Sequence, residues 1–359
     1  MKIVVACGGT GGHAFPGLAV AEELKSRGHD VTVWDSGRDI ESSVMRFWHG
    51  PVFSTGAKQL AARNIFSILR SILRCRREMR RAKPDVLLAM GSYSSLPPVL
   101  AAKGRGVPVV LHEANTVPGR AVEFLSRFAK KVAISFDVTA RHLPGCDTTA
   151  TGLPVRADIA SGTRFDFIPK DSFVVFVTGG SQGAHMVNCI ASEALAMMKS
   201  ELDRRAASGR EVRPLYVIHQ TGLKDEGPVM GRYVAAGIPS RVNAFEHDMA
   251  RAFATANLVI ARAGASTCFE LARVGKPALL IPLPSALRNH QHFNAEAFVA
   301  AGAADEGKQD ELTPRALANY ILNKIEHPHQ LMRMAERMRA LATPDAARQV
   351  ADLVERCAR

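Results

Sequence analysis

The sequence predicts an α/β protein of two domains, each a parallel sheet flanked by helices. Three observations predict it. Short apolar, β-branched runs alternate with longer helical segments; the alternation restarts after residue 160; and each series opens with a strand, a glycine-rich turn and a helix. Strands joined through helical crossovers form right-handed βαβ units and therefore parallel sheets. A length of 359 residues exceeds one ordinary domain and suits two, at about 100–200 residues each.

The first series begins with the strand "KIVVAC", the glycine loop "GGTGGHAFPGL" and the helix "FPGLAVAEELKSRG", and continues through "DVTVWD", "PDVLLAM", "VPVVLHE" and "KVAISF". The second runs "DSFVVFVTGGSQGAHMVNCIASEALAMM", "RPLYVIHQTG", "RVNAFE", "ANLVIARAG" and "PALLIPLP". Between them "TGLPVRADIASGTRFDFIPKDS" has the two prolines and sparse apolar pairs of a linker. The tail "HQLMRMAERMRALATPDAARQVADLVERCAR" is helical with a break at Pro344. The expected domains are residues 1–155 and 156–339, with a last helix over about 340–359 returning to the first.

Apolar residues make up 47% and charged residues 22%, a globular rather than disordered composition. No apolar run approaches the ~18 residues of a membrane span. "VVAC" resembles a lipoprotein cleavage box, but the apolar stretch before Cys7 falls short of the ~7–15 residues of a signal core, so it reads as a retained first strand. The six cysteines are scattered without a CxxC pair, which suits a reducing compartment and offers no zinc site. A formal charge of +12 points to an anionic partner: nucleic acid, an anionic membrane or phosphorylated substrates.

Gly9, Gly11 and Ala14 fit G-x-G-x-x-[G/A] between a strand and a helix, and Asp35 ends the second strand. A nicotinamide dehydrogenase is therefore one reading. The extra glycines, His13 at the helix start and a second glycine loop, "GGSQGA", speak against it. Both loops lead into helix N-termini, where free amides and the helix dipole favour anions; glycines that merely permit tight packing are the bland alternative. In "ARAGASTCFELARVGKPALLIPLPSALRNHQHFNAEAF" a strand enters a glycine turn, and the next helix presents Ser266, Thr267 and Glu270 early. A carboxylate there can accept two hydrogen bonds from a ribose diol. Those residues could equally be ordinary cap and dipole partners. His290 and His292 form an HxH without a third ligand, so metal binding is not expected.

"GGTGGHAFPGLAVAEEL", "LHEANTVPGRA", "GLPVR", "GGSQGA", "ARAGASTCFEL" and "NHQHFNA" occur in the order and at the spacing of the MurG family, and the resemblance runs nearly end to end. That family comprises the bacterial glycosyltransferases that add N-acetylglucosamine to the undecaprenyl-diphosphate-linked muramyl-pentapeptide precursor of peptidoglycan. The resemblance implies a GT-B architecture, two Rossmann-like domains facing across a cleft, with UDP-N-acetylglucosamine held mainly by the second. Glu270 would take the ribose hydroxyls; Ser181 and the helix start at Ala265, Ser266 and Thr267 would take the diphosphate; Arg156 and Gln291 would add donor contacts. Thr10, Gly11, Gly12, His13 and Asn115 would approach the reacting sugar, and the backbone at Glu246 the uracil. Tyr93, in the acceptor loop "MGSYSSLP", would meet the acceptor with His112 and Glu113. The chain departs from the family at Leu153, where Asn is usual, and at Ser92 and Leu96, where glycines are common.

Inverting glycosyl transfer needs a hydroxyl relieved of its proton and a stabilised diphosphate leaving group. His13 is the expected base, with substrate positioning as its alternative role and His112 or Glu113 as substitutes. No D-x-D motif is present to hold a divalent ion, so no cofactor is expected and Arg156 with a helix N-terminus would carry the charge. In "NIFSILRSILRCRREMRRAKPD", Ile65, Ile68, Leu69, Ile72 and Leu73 fall on one helical face and Arg70, Arg74, Arg77 and Arg81 on another. This is the pattern of a helix lying on an anionic membrane, here the cytoplasmic face of the bacterial plasma membrane as the resemblance implies. A core-packed helix with a solvated basic face would share it. Nucleic acid is not expected as a partner, since no recognition motif accompanies the charge and aromatic residues reach only 6%.

Overall fold

The computed structural model describes residues 1–9, 11–38, 44–58 and 64–358. They divide into two compact units: Met1–Arg156 with Thr343–Arg359, and Ala157–Ala342. The stretch expected to be a linker is split between them. Beyond Arg156 it packs on the second unit, where Ile159 and Phe165 are buried and the Phe165 amide donates to Thr255 Oγ1 at 2.9 Å.

In the first unit β1 (Lys2–Ala6), β2 (Asp30–Asp35), β3 (Val52–Ser54), β4 (Val86–Ala89), β5 (Val109–Glu113), β6 (Lys131–Ile134) and β7 (Thr148–Ala150) form one parallel sheet, ordered β3-β2-β1-β4-β5-β6-β7. Its helices include α1 (Gly11–Ser26), α2 (Ile65–Ala82), α3 (Leu96–Lys103) and α4 (Arg120–Leu125). Every residue of β4 is buried, as befits a strand covered on both faces. Val5, Leu88 and Val110 enter one apolar cluster, while Val4, Leu87 and Leu111 enter the other.

The second unit repeats the plan. β8 (Phe173–Thr178), β9 (Leu215–Gln220), β10 (Ser240–Asn243), β11 (Leu258–Ala261), β12 (Ala278–Leu280) and β13 (Ala304–Glu306) are parallel and ordered β10-β9-β8-β11-β12-β13. They are joined by α5 (His185–Ala207), α6 (Glu226–Ala235), α7 (Met249–Thr255), α8 (Ala265–Val274) and α9 (His290–Ala300), and followed by α10 (Pro314–Glu326) and α11 (Pro328–Ala340). The chain then returns to the first unit as α12 (Ala346–Cys357), which packs on α1 and against β4, β5 and β6. Val350, Leu353 and Val354 join the cluster of Ile3 and Leu24. Arg27 on the α1 side holds Asp352 at 2.6 Å and Glu355 at 2.9 Å.

Both strand orders reverse beside the first strand of their unit, between β1 and β4 and between β8 and β11. Doubly wound sheets bind ligands outside the carboxyl ends of the strands at such a reversal. The segments there are the glycine loop after β1, residues 90–95 after β4, residues 179–184 after β8 and residues 262–264 before α8.

Candidate active site

The glycine loop of the first unit is shaped by close approach. A side chain on Gly17 would run into Cys7, so glycine lets α1 seat directly on the end of β1. Gly9 has φ +125°, and a Cβ there would lie 2.6 Å from Ser92 Oγ. The loop after β4 is pinned to it by Ser94 Oγ, which donates to the Gly8 carbonyl at 2.5 Å, and is itself braced by Ser95 Oγ, which donates to the Gly91 carbonyl.

His13, in the first turn of α1, bridges the same two loops, with Nδ1 2.9 Å from the Met90 carbonyl oxygen. A carbonyl can only accept, so Nδ1 carries a proton. The loop after β5 is organised by Glu113. Its carboxylate accepts from the Asn115 amide at 2.9 Å, Asn115 Nδ2 at 3.0 Å and the Gly119 amide at 3.0 Å. Burial raises the Glu113 carboxyl above its ordinary range despite these bonds. His112 is buried with Nε2 3.4 Å from the Gly152 carbonyl, and burial pushes it down to about 4.

In the second unit the loop of residues 179–184 leads into α5 with Ser181 and Gln182 exposed. Gln220, at the end of β9, donates from Nε2 to the Gly180 carbonyl at 2.7 Å and accepts at Oε1 from the Glu246 amide at 3.1 Å. The Glu246 carboxylate turns inward, accepting from Arg241 Nε at 2.7 Å, Asn243 Nδ2 at 2.9 Å and the Asp248 amide at 3.0 Å. Burial alone would raise this carboxyl; Arg241 and the other donors outweigh it and hold it below the usual range.

α8 buries Cys268, Phe269, Leu271 and Ala272 and leaves Ser266, Thr267 and Glu270 half-exposed, Ser266 and Glu270 one turn apart. Gln291, at the start of α9, accepts from the Leu283 amide at 3.0 Å. Buried Arg262 ties this end of the sheet together, donating to the Ile281 and Pro282 carbonyls at 3.1 and 3.0 Å and to Gln309 Oε1 at 2.5 Å. Asn294 Nδ2 donates to the Ala263 carbonyl at 3.2 Å, fixing α9 on the turn before α8.

Models of the glycosyltransferase family 28 N-terminal and C-terminal domains match residues 3–134 and 174–352. A UDP-N-acetylglucosamine–N-acetylmuramyl-(pentapeptide) pyrophosphoryl-undecaprenol N-acetylglucosamine transferase of Anaeromyxobacter sp. (strain Fw109-5) is 37% identical, over 98% of this chain and 92% of its own. The counterpart in Agrobacterium fabrum is 34% identical, over 98% and 93%. The crystal structure of Acinetobacter baumannii MurG superposes with a TM-score of 0.76 at 30% identity, covering 99% of each chain. The chain belongs to the MurG family. Its fold is accordingly of the GT-B class. A UDP-GlcNAc 2-epimerase from Neisseria meningitidis, 14% identical with a TM-score of 0.69 over 99% of this chain and all of its own, shares that fold.

Against the family pattern, Ser92 has φ +69°. That left-handed backbone is why glycine is common there. Leu153 is fully buried. Of the residues the sequence singled out, Gly11, Gly12, His13, Tyr93 and Asn115 stand on the three loops at the carboxyl edge of the first sheet. Ser181, Ala265, Ser266, Thr267, Glu270 and Gln291 stand on the corresponding edge of the second. Thr10 lies outside the described residues. Arg156 belongs to the first unit rather than the second, its guanidinium 4.6 Å from the centroid of the Phe15 ring.

One expectation is corrected. His112 and Glu113 are interior residues, 0% and 2% exposed: Glu113 braces the Asn115 loop and His112 Nε2 faces the Gly152 carbonyl, so neither side chain is presented to an acceptor. The HxH pair is dispersed: His292 Nδ1 lies 2.8 Å from Glu306 Oε1, and His290 Nδ1 lies 2.8 Å from the Leu287 carbonyl. Gln220, Arg262, Asn294 and Ser94 carry the loops' internal bonding and were not foreseen. Arg262, Asn294 and Ser94 lie within quoted motifs and Gln220 ends a strand, but no spacing marks which polar residue of a motif bonds inward.

α2 buries Ser71, Cys75 and Met79, one residue per turn. Its large apolar residues point elsewhere: Ile65 is 55% exposed, Phe66 83%, Leu69 52% and Leu73 64%, with Ile68 and Ile72 half-buried. Arg70, Arg74, Arg77 and Arg81 are exposed, Arg74 over the Phe53 ring at 5.2 Å. The face by which this helix packs on the core is therefore not its large apolar one. Among the described residues no helix is long and apolar enough to cross a membrane.

Proposed function

We propose that the chain transfers N-acetylglucosamine from UDP-N-acetylglucosamine to the muramyl sugar of undecaprenyl-diphosphate-linked MurNAc-pentapeptide, the step from lipid I to lipid II in peptidoglycan synthesis. The observation that carries the reading is that the glycine loop after β1, residues 90–95 after β4, residues 179–184 after β8 and residues 262–264 before α8 stand at the two sheet reversals, in a chain matched along 98% of its length by relatives named for that reaction.

The donor belongs to the second unit. Glu270 accepts from the ribose hydroxyls, and Ser181 with the start of α8 at Ala265, Ser266 and Thr267 binds the diphosphate. Gln291 and Arg156 add contacts. Because the Glu246 amide already serves Gln220, its carbonyl is the group left to meet the uracil N–H.

The acceptor approaches the loops bearing Gly11, Gly12, His13, Tyr93 and Asn115. Its sugar hydroxyl attacks the anomeric carbon opposite the diphosphate, and the carbon–oxygen bond to UDP breaks with its electron pair leaving on UDP. His13 Nε2 takes the hydroxyl proton, a contribution of about 10²–10⁴-fold. The exposed apolar face of α2 and its arginines hold the enzyme at an anionic membrane surface, on the cytoplasmic side where a nucleotide sugar is available. Incubation with a lipid-linked muramyl acceptor and labelled UDP-N-acetylglucosamine tests the reading. Transfer of label to the lipid supports it, and cleavage of donor without transfer sinks it.

A further inference from the structure

A cavity of about 450 Å³ in the first unit has no role in the mechanism above. Its lining among the described residues includes Gly37, Arg38, Gly56, Lys58 and Asn64. Gly37 and Arg38 follow β2 and residues 56–58 follow β3, so it opens at the same carboxyl edge of the sheet as the glycine loop. The two walls are knit by the Thr55 amide and Oγ1, which donate to the Asp35 carbonyl at 2.9 and 2.7 Å. Arg38 and Lys58 supply two cations, and no acidic side chain is among the described residues lining it.

The cavity's neighbours give it meaning. On one side its wall touches the glycine loop: a Cβ on Gly8 would lie 2.7 Å from the Ser36 amide nitrogen. The Arg38 guanidinium sits over the Tyr93 ring, 5.1 Å from its centroid, beside the Ser94 that bonds Gly8. On the other side Asn64 immediately precedes α2, whose Ile65, Phe66 and Leu69 are exposed. Along this surface the order is apolar face, cationic cavity, glycine loop with His13. An acceptor of the class proposed above has the same order along its own chain: lipid, diphosphate, sugar.

Resting on that acceptor reading, we propose that the cavity binds the acceptor's diphosphate, with Arg38 and Lys58 as its charge partners. A guanidinium engages phosphate oxygens in pairs, and an ammonium adds a point charge. The diphosphate is thereby held between the membrane face and the loop where the sugar reacts, and His13 is left to the sugar hydroxyl.

The test measures steady-state kinetics of Arg38→Ala, Lys58→Ala and Arg38→Lys on a short-chain, water-soluble lipid-diphosphate muramyl acceptor, with and without its peptide. Each alanine variant should raise the acceptor KM by roughly tenfold or more, with kcat and donor KM within about twofold, and Arg38→Lys should recover part of the loss. The rise should be the same on the acceptor lacking peptide. A rise that vanishes without the peptide would assign the cavity to peptide carboxylates and overturn the proposal. So would an unchanged acceptor KM, or variants that lose only co-sedimentation with phosphatidylglycerol vesicles. A wild-type enzyme inactive on both acceptors would instead remove the acceptor reading, and this assignment with it.

Discussion

The most direct test of membrane attachment is to make the outer face of α2 repel a bilayer. Ile65, Phe66, Leu69 and Leu73 together expose about two and a half side chains' worth of apolar surface. At ~1.5–3 kcal/mol for each fully transferred side chain, moving that surface out of water is worth roughly 4–8 kcal/mol. Each arginine close to anionic headgroups adds about 1 kcal/mol. Leu69→Glu with Leu73→Glu removes about half of the apolar share and sets two carboxylates against a negative surface, a combined loss of about 3–5 kcal/mol. At 1.4 kcal/mol per decade the partition coefficient should fall by roughly 10²-fold to a few thousandfold. Co-sedimentation with vesicles containing phosphatidylglycerol reads it. Because both leucines are more than half exposed, the melting temperature and kcat on a short-chain soluble acceptor should hold. Raising salt should weaken wild-type binding only in its arginine share, since screening acts over a Debye length of about 10 Å at 0.1 M and leaves apolar transfer intact. Partitioning of the double variant within threefold of wild type would refute the reasoning.

Four further outcomes are expected. His13→Ala should lower kcat by about 10²–10⁴-fold with donor affinity unchanged; near-normal turnover would leave His13 no part in proton transfer. Glu270→Ala should weaken UDP binding by roughly 10²-fold in calorimetry and abolish discrimination against 2′,3′-dideoxy-UDP, because two charge-assisted hydrogen bonds are lost. Turnover should survive exhaustive chelation, and activity lost to a chelator and restored by Mg²⁺ or Mn²⁺ would overturn the assignment of leaving-group charge to Arg156 and a helix terminus. Burial pushes His112 down to about 4 and His219 to about 3 from an ordinary 6.5. The unfolded chain therefore binds protons more readily than the folded one below pH 6.5. Stability should be complete above that pH and fall by about 1.4 kcal/mol per unit per histidine as pH drops toward 4. Since His219 is held by Tyr233 and Asn188 at 2.8 and 3.1 Å, His219→Gln should flatten the melting-temperature profile of wild type between pH 6.5 and 4.

The parts of the site written as spacing were legible in the sequence. A strand, a glycine turn and a helix fix where a loop must fall, and the parallel order then carries each such loop to a sheet reversal. What a side chain does once it arrives was less legible. Glu113 and Asn115 lie two residues apart in one motif, yet one is sealed beneath the loop it braces and the other rides on it. Their burial depends on which way β5 delivers the chain, which no local pattern records. Gln220 links the Gly180 loop to Glu246 across 40 and 26 residues of sequence, a separation that leaves no trace in periodicity.

The two most amphipathic helices mark the same boundary. α2 and α12 each carry an apolar stripe and arginines, and either stripe could have been the packed one. In α12 the stripe of Val350, Leu353 and Val354 is buried against α1 and the sheet. In α2 the packed face is Ser71, Cys75 and Met79, and the Ser71 hydroxyl donates to the Thr55 carbonyl at 2.8 Å. Small and sulfur-bearing residues let α2 lie close to the sheet, and the same rotation turns Ile65, Leu69 and Leu73 outward. Hydrophobic burial alone would favour the opposite rotation by several kcal/mol. A helix that forgoes that gain keeps its apolar face exposed with arginines beside it, which is the arrangement the proposed contact with an anionic bilayer requires.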